Sequence, residues 1–344
     1  MRIFYGLEDV PADFGPSVVT IGNFDGVHRG HQEVLTQLVR AGWRHNAEAV
    51  AITFDPHPLQ IHAPERAPEM ILGAEDKIAR LSNSGIDALL IIKYSLEFAQ
   101  ATAEEFVKNV IVDALGARAV VVGHDVRFGK GNTGDFACME ELGAKYDFTV
   151  QGIEDFGELR RCSSTWVREL LADGDVAGAS EVLGRPHIVR GTVVHGAARG
   201  RELGFPTANL SADSIGLIPA DGVYAGWLID EEDRRWPAAI SVGTNPTFDG
   251  VERTVESHVI DRPLSESVED FNLYGQEVVV EFVERLRGMV AYRGVEALIA
   301  QMHDDVAKTR EVLAQDMGQR LPVGQPTPFR ITAEDAHPRP EQQG

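Results

Sequence analysis

The sequence predicts a doubly wound α/β domain at the N-terminus, followed by an antiparallel β-barrel with a closing helix. Two observations carry that reading. In the first half, short apolar runs alternate with amphipathic segments; in the second, strand-like runs follow one another with no helix between them. The breaker Gly184-Arg185-Pro186 separates the two patterns, so the expected borders are 1–184, 185–320 and a tail over 321–344.

In the first domain the strand candidates are Val18–Ile21, Ala49–Phe54, Ala88–Ile92, Ala119–Val122 and Phe148–Ile153. Several are apolar at successive positions, as in strands buried on both faces. Helical patterns lie between them at His31–Trp43, Glu75–Leu81, Thr102–Leu115 and Phe136–Ala144, then at Thr165–Leu171 and Val176–Leu183. Strand–helix alternation implies a parallel sheet, whose ligands bind beyond the carboxyl ends of the strands. In the second domain the strand candidates are Ile188–Val194, Val223–Asp230, Trp236–Val242, Thr254–Ile260 and Glu277–Val283. A helix over Val295–Leu313 closes that domain, and from Leu321 onward the Pro-, Gln- and Glu-rich chain reads as disordered.

Composition narrows the function. The formal net charge is −21 and the pI about 4.9, which disfavours nucleic acid and anionic membranes as partners. ATP is repelled as well, so a nucleotide site must be locally positive or use a metal ion. The cysteines Cys138 and Cys162 lack metal-ligand spacing and fit free thiols in a reducing compartment. With neither a signal-peptide pattern nor a membrane-length apolar run, the expected location is the cytoplasm. Oligomeric state is not legible.

The most informative stretch runs from Thr20 to His31 and includes Gly22-Asn23-Phe24-Asp25-Gly26-Val27-His28-Arg29-Gly30-His31. It spans the end of the first strand and the start of the first helix. Its glycines let backbone approach a ligand closely, and the helix start offers free N–H groups. His28 and His31 are spaced to share one side of the first turn. Two imidazoles and a helix N-terminus make a phosphate clamp within an acidic chain. A zinc site is the alternative, but no third Cys or His stands at ligand spacing. Further along, Arg161-Cys162-Ser163-Ser164-Thr165-Trp166-Val167-Arg168 opens a helix with hydroxyls, N–H groups and a cation, or serves simply as its cap.

These blocks, with Thr53-Phe54-Asp55-Pro56-His57-Pro58 and Gly123-His124-Asp125-Val126-Arg127-Phe128-Gly129, resemble the FMN adenylyltransferase module of prokaryotic bifunctional riboflavin kinase/FAD synthetases. Val126 departs from the Phe frequent there. The resemblance implies a nucleotidyltransferase-like fold in which His28 and His31 stabilise charge on the ATP phosphates. It also implies that Ser164, Thr165 and Arg168 hold the triphosphate, with Gly22 to Gly26 and Asp125 beside the nucleotide or its Mg²⁺. Phe54, Pro58 and Phe128 would pack on the flavin ring.

In the second domain the loop Gly191 to Gly204 contains Gly196, Gly200, Arg199 and Arg201 and leads into Pro206-Thr207-Ala208-Asn209. Thr207 and Asn209 share one face of an extended segment, where a hydroxyl and an amide oxygen suit a hard cation. The block resembles the Pro-Thr-Ala-Asn signature of riboflavin kinases, as do Ser241–Phe248, Val255-Glu256-Ser257-His258 and Leu273-Tyr274-Gly275. Ser257 stands where that family usually has Thr. The resemblance implies a kinase ATP loop at Gly191, Gly196, Gly200 and Arg201, Mg²⁺ at Thr207 and Asn209, and a catalytic base at Glu256. The implied substrates are riboflavin, FMN and ATP, and the products FMN and FAD. Another His-x-Gly-His transferase and a flavin-binding regulator or storage protein are the competing expectations.

Overall fold

A computed structural model of the chain describes residues 1–154, 156–157, 160–196, 203–247, 250–261 and 272–319. The described residues form two compact units, one of residues 1–68 and 74–162, the other of 69–73 and 163–319.

The first unit is built on a six-stranded parallel sheet. Its strands are β1 (Arg2–Phe4), β2 (Ser17–Ile21), β3 (Glu48–Asp55), β4 (Ala88–Lys93), β5 (Ala117–Gly123) and β6 (Thr149–Ile153), in the order β1-β4-β3-β2-β5-β6. The five predicted strands are present, and β1 is an addition. The successive residues Val18 and Val19 are both buried, as are Leu89 and Leu90. Both faces of the sheet are therefore covered, which explains the unbroken apolar runs. Helix α1 (Arg29–His45) packs over β2, β3 and β5. The other helices of this unit are α2 (Pro58–His62), α3 (Ala74–Ser82), α4 (Ala103–Phe106) and α5 (Phe136–Tyr146). Thr102 caps α4 in a reciprocal capping box with Glu105, and the helix continues in π form over Val107–Ala114. That wider winding buries Val107, Val110 and Ile111 against the sheet core.

The second unit is a closed antiparallel barrel in the order β10-β11-β8-β7-β12-β9. The strands are β7 (His187–Val194), β8 (Ala208–Leu210), β9 (Gly222–Ile229), β10 (Arg235–Thr247), β11 (Gly250–Val259) and β12 (Glu277–Arg287). Closure leaves no open sheet edge. Helix α8 (Val295–Gln319) packs on β9, β10 and β12, extending beyond the predicted Leu313.

Helices α6 (Ser164–Asp173) and α7 (Val176–Leu183) belong to the barrel unit. The units therefore divide after Cys162, whereas the composition break lies at 184/185. The reason is local. Gly184, at φ 73°, is the C-cap of α7, so the breaker ends a helix. Helix α7 packs on β7 and β12. The Arg285 guanidinium donates to the Asp173 carbonyl at 2.9 Å, and Ala220 N–H to the Leu171 carbonyl at 2.9 Å. The expected tail, 321–344, lies outside the described residues.

Candidate functional site

In the first unit the strand order reverses between β2 and β5. A parallel sheet binds ligands in the crevice beyond the strand ends at such a switch. The segment after β2 is Gly22 to His28, and the segment after β5 carries His124 and Asp125. The β2 exit is held closely: Gly22 N–H donates to the Ile52 carbonyl at 3.0 Å, and Thr53 Oγ1 to the Asn23 carbonyl at 3.2 Å. Asp25–Val27 then makes a 3₁₀ turn. Phe24 (φ 51°), Gly26 (φ 76°) and Val27 (φ 42°) are left-handed, a conformation disfavoured for a β-branched residue. Phe24, Asp25 and His28 are buried.

The turn delivers both histidines to one place. His28 is the N-cap of α1, its Nδ1 accepting the His31 N–H at 3.3 Å. The rings stack with centroids 3.7 Å apart and planes 21° apart, while Phe24 meets His31 edge-on at 5.2 Å. A methyl on Gly30 would lie 3.2 Å from both His28 Cε1 and the Cys162 carbonyl oxygen, so this position favours glycine. Burial holds the His31 imidazole well below its ordinary pKa, with the charges of His28 and Arg161 acting in the same direction. His31 is thus a neutral ring at pH 7. Since His28 Nδ1 accepts, a neutral His28 carries its proton on Nε2. Asp125 is exposed and pairs with the Arg161 guanidinium at 2.5 Å.

Two charged residues near this site carried no assigned role in the sequence: Arg161, the first residue of the 161–168 block, beside Asp125, and Lys77 on α3. A lone lysine on an amphipathic helix reads as solvated, yet Lys77 is buried. Of the three expected flavin contacts, Phe128 is core, packing on Phe106 with centroids 6.0 Å apart. Phe54 and Pro58 are half-buried. Phe54 belongs to an aromatic group with Tyr94 and Phe98, and His62 hydrogen-bonds the Tyr94 hydroxyl at 2.8 Å. Ser164, Thr165 and Arg168 lie on α6, in the second unit. There Ser163 caps the helix by accepting the Trp166 N–H at 3.1 Å, and Arg168 Nε donates to the Glu69 carbonyl at 3.0 Å.

In the barrel, β8 pairs with β11 so that Asn209 stands opposite Glu256 and Ala208 opposite Ser257. Opposed residues on antiparallel strands share a face, and Thr207, two residues from Asn209, shares it too. Thr207 Oγ1 lies 3.5 Å from Glu256 Oε2, and Asn209 Nδ2 lies 3.2 Å from Thr207 Oγ1. Val255 is buried while Glu256 stays half-exposed, the expected alternation. His258 Nδ1 contacts the Pro206 carbonyl at 2.9 Å, fixing the backbone ahead of Thr207. Gly191 lies within β7, where a methyl would meet Ser214 at 2.9 Å, and one on Gly196 would strike the Asn209 amide. The loop therefore starts against Asn209. Gly200 and Arg201 lie outside the described residues.

The side-chain oxygens of Thr207 and Asn209 are of the hard kind that suits Mg²⁺. Among the described residues no group of three His, Cys, Asp or Glu could hold a metal ion. Nor is any described helix long and apolar enough to cross a membrane. Cys138 and Cys162 are unpaired thiols, each pushed up in pKa by burial first.

Comparisons with known proteins match the two halves of the chain separately. A family model described as FAD synthetase matches residues 10–165, and one described as riboflavin kinase matches 183–313. The bifunctional riboflavin kinase/FMN adenylyltransferase of Escherichia coli strain K12 is 35% identical, covering 90% of this chain and 96% of its own. The protein of the same name from Pseudomonas fluorescens is 33% identical, over 91% and 98%. A crystal structure titled as a macrolide-efflux protein from Streptococcus pneumoniae superposes with a TM-score of 0.79 at 31% identity, over 90% of this chain and 98% of that one.

Proposed function

The chain belongs to the family of bifunctional riboflavin kinase/FMN adenylyltransferases, and from that premise we propose how its own residues divide the two reactions. It phosphorylates riboflavin to FMN with ATP, and it adenylylates FMN to FAD with ATP, releasing pyrophosphate. The observation that carries the division is that His28, His31 and Asp125 fall in one compact unit, and Thr207, Asn209 and Glu256 in the other.

In adenylyl transfer an FMN phosphate oxygen bonds to the α-phosphorus of ATP as the bond to pyrophosphate breaks. No covalent enzyme intermediate is needed, so alignment and charge stabilisation carry the rate. His28 is set at the helix start by its capping bond, and His31 adds a second imidazole stacked on the first. A neutral His31 avoids repulsion between two charged rings 3.7 Å apart. Backbone N–H groups at the start of α1 add positive potential. The partly open Phe54 and Tyr94 rings suit the isoalloxazine ring.

In the kinase reaction the ribityl 5′-hydroxyl attacks the γ-phosphorus of ATP. Glu256 accepts the hydroxyl proton as the bond to ADP breaks. Thr207 and Asn209 would hold Mg²⁺, which neutralises phosphate charge when bound. The Gly191 and Gly196 segment brings backbone close to the phosphates. ATP use in both steps and the free thiols support a cytoplasmic location.

The test is to supply riboflavin and ATP with Mg²⁺, with and without EDTA, and to separate the flavins by chromatography. FMN followed by FAD is expected with Mg²⁺, and neither with EDTA. Undiminished FMN formation in EDTA would overturn the metal assignment.

A further inference from the structure

The strained turn after β2 needs restraint at each of its residues, since left-handed Phe24 and Val27 persist only where their surroundings over-determine them. Three restraints are plain. Thr53 Oγ1 holds the Asn23 carbonyl at 3.2 Å, the Phe24 ring is buried, and Gln32 Nε2 holds the Val27 carbonyl at 2.8 Å. Between Phe24 and Val27 stands Asp25, a carboxylate only 2% exposed. A charge taken out of water at that depth requires compensation.

Helix α3 packs against this turn, and it carries Lys77, which is 8% exposed. The carboxylates of Asp55, the last residue of β3, and of Asp25 act electrostatically on Lys77. Burial lowers the Lys77 pKa, and the two carboxylates act the other way, favouring the ammonium. The motif analysis assigned Lys77 no role, and a solvated surface lysine would not be enclosed in this way.

We propose that Lys77 is a positioning residue of the adenylyl-transfer site, a buried cation that holds Asp25 and thereby the left-handed turn presenting His28 and His31. Its role is charge compensation within the protein. The inference rests on the assignment of adenylyl transfer to His28 and His31.

The test uses the full chain and measures FAD formation from FMN, with kcat and KM for ATP, alongside FMN formation from riboflavin. Lys77→Met should lower adenylylation by about 10-fold or more through kcat, because a buried positive charge acting on the Asp25 turn is removed. Riboflavin phosphorylation should be unchanged. Lys77→Arg, which keeps the charge, should regain most of the loss. The double variant Lys77→Met/Asp25→Asn should exceed Lys77→Met alone, because it removes the Asp25 charge together with the Lys77 charge. If Lys77→Met does not keep its fold by circular dichroism, Lys77→Gln replaces it in both the single and the double variant. Wild-type adenylylation in Lys77→Met, beside an inactive His28→Ala, would overturn the inference alone. So would a loss carried by KM for ATP that Asp25→Asn does not relieve, since Lys77 would then be a direct phosphate ligand. Full adenylylation in His28→Ala would remove the site assignment, and the inference with it.

Discussion

Acidification should weaken the barrel unit through His187. This ring, at the start of β7, is 1% exposed and stacks on Phe282, with centroids 6.2 Å apart. Its Nε2–H donates to the Leu217 carbonyl at 2.6 Å, and its Nδ1 is buried without a hydrogen-bond partner. Burial pushes its pKa down from 6.5 to about 4, outweighing the help of the Leu217 carbonyl. The folded ring is therefore neutral where the unfolded one is charged. Below about pH 6.5 the unfolded chain binds a proton that the folded barrel refuses, so stability falls as pH falls. The gap between 6.5 and about 4 sets a ceiling of about 3 kcal/mol, and at pH 5 the difference is about 2 kcal/mol. His187→Gln keeps a donor for the Leu217 carbonyl and does not titrate. Urea unfolding at pH 7 and pH 5 can be followed by tryptophan fluorescence, because Trp166, Trp227 and Trp236 all belong to the second unit. Wild type should lose about 2 kcal/mol more than His187→Gln between the two pH values. Equal losses would refute the reasoning.

Other expectations follow from single contacts. Glu256→Gln should cut FMN formation by about 10²–10⁴-fold while leaving riboflavin binding and FAD formation from supplied FMN nearly intact; near-normal kinase turnover would return Glu256 to an ordinary strand carboxylate. Gly30→Ala should reduce adenylylation by about 10-fold by pressing on the His28 ring, with kinase rates unchanged; an unaltered adenylylation rate would mean that the ring gives way freely. Asp305 is buried under a two-pronged bond from Arg287, at 2.9 and 2.7 Å, with Gln301 adding a third donor at 3.0 Å. Asp305→Ala should therefore cost the barrel unit about 3 kcal/mol in urea unfolding, and a change below about 1 kcal/mol would contradict that pairing.

The elements legible in the sequence are those whose local signal matches their burial. The buried strands β2 to β5 read as apolar runs, and α7 matched its predicted limits, ending on a left-handed Gly184. Strands β1 and β8 have three residues each, too few to show a period, and β8 is defined by partners far away in sequence. The His28–His31 spacing did foretell a shared face, because an i,i+3 pair at a helix start has little freedom to do otherwise. Buried charge was not legible. Lys77 looks like any helix lysine until α3 is laid against the Asp25 turn, and Arg161 gains meaning only once Asp125 is beside it. Phe128 shows the converse: an aromatic within a motif is core as readily as contact, and here the fold buries it.

The central claim is that two residue sets, one per unit, carry two reactions joined only by FMN. Complementation tests it most directly. His28→Ala and Glu256→Gln are each supplied with riboflavin, ATP and Mg²⁺, singly and mixed, and FAD is measured over time. His28→Ala alone should stop at FMN, Glu256→Gln alone should leave riboflavin almost unchanged, and the mixture should make FAD. A mixture that makes no FAD, or a folded single variant that has lost both reactions, would contradict the account.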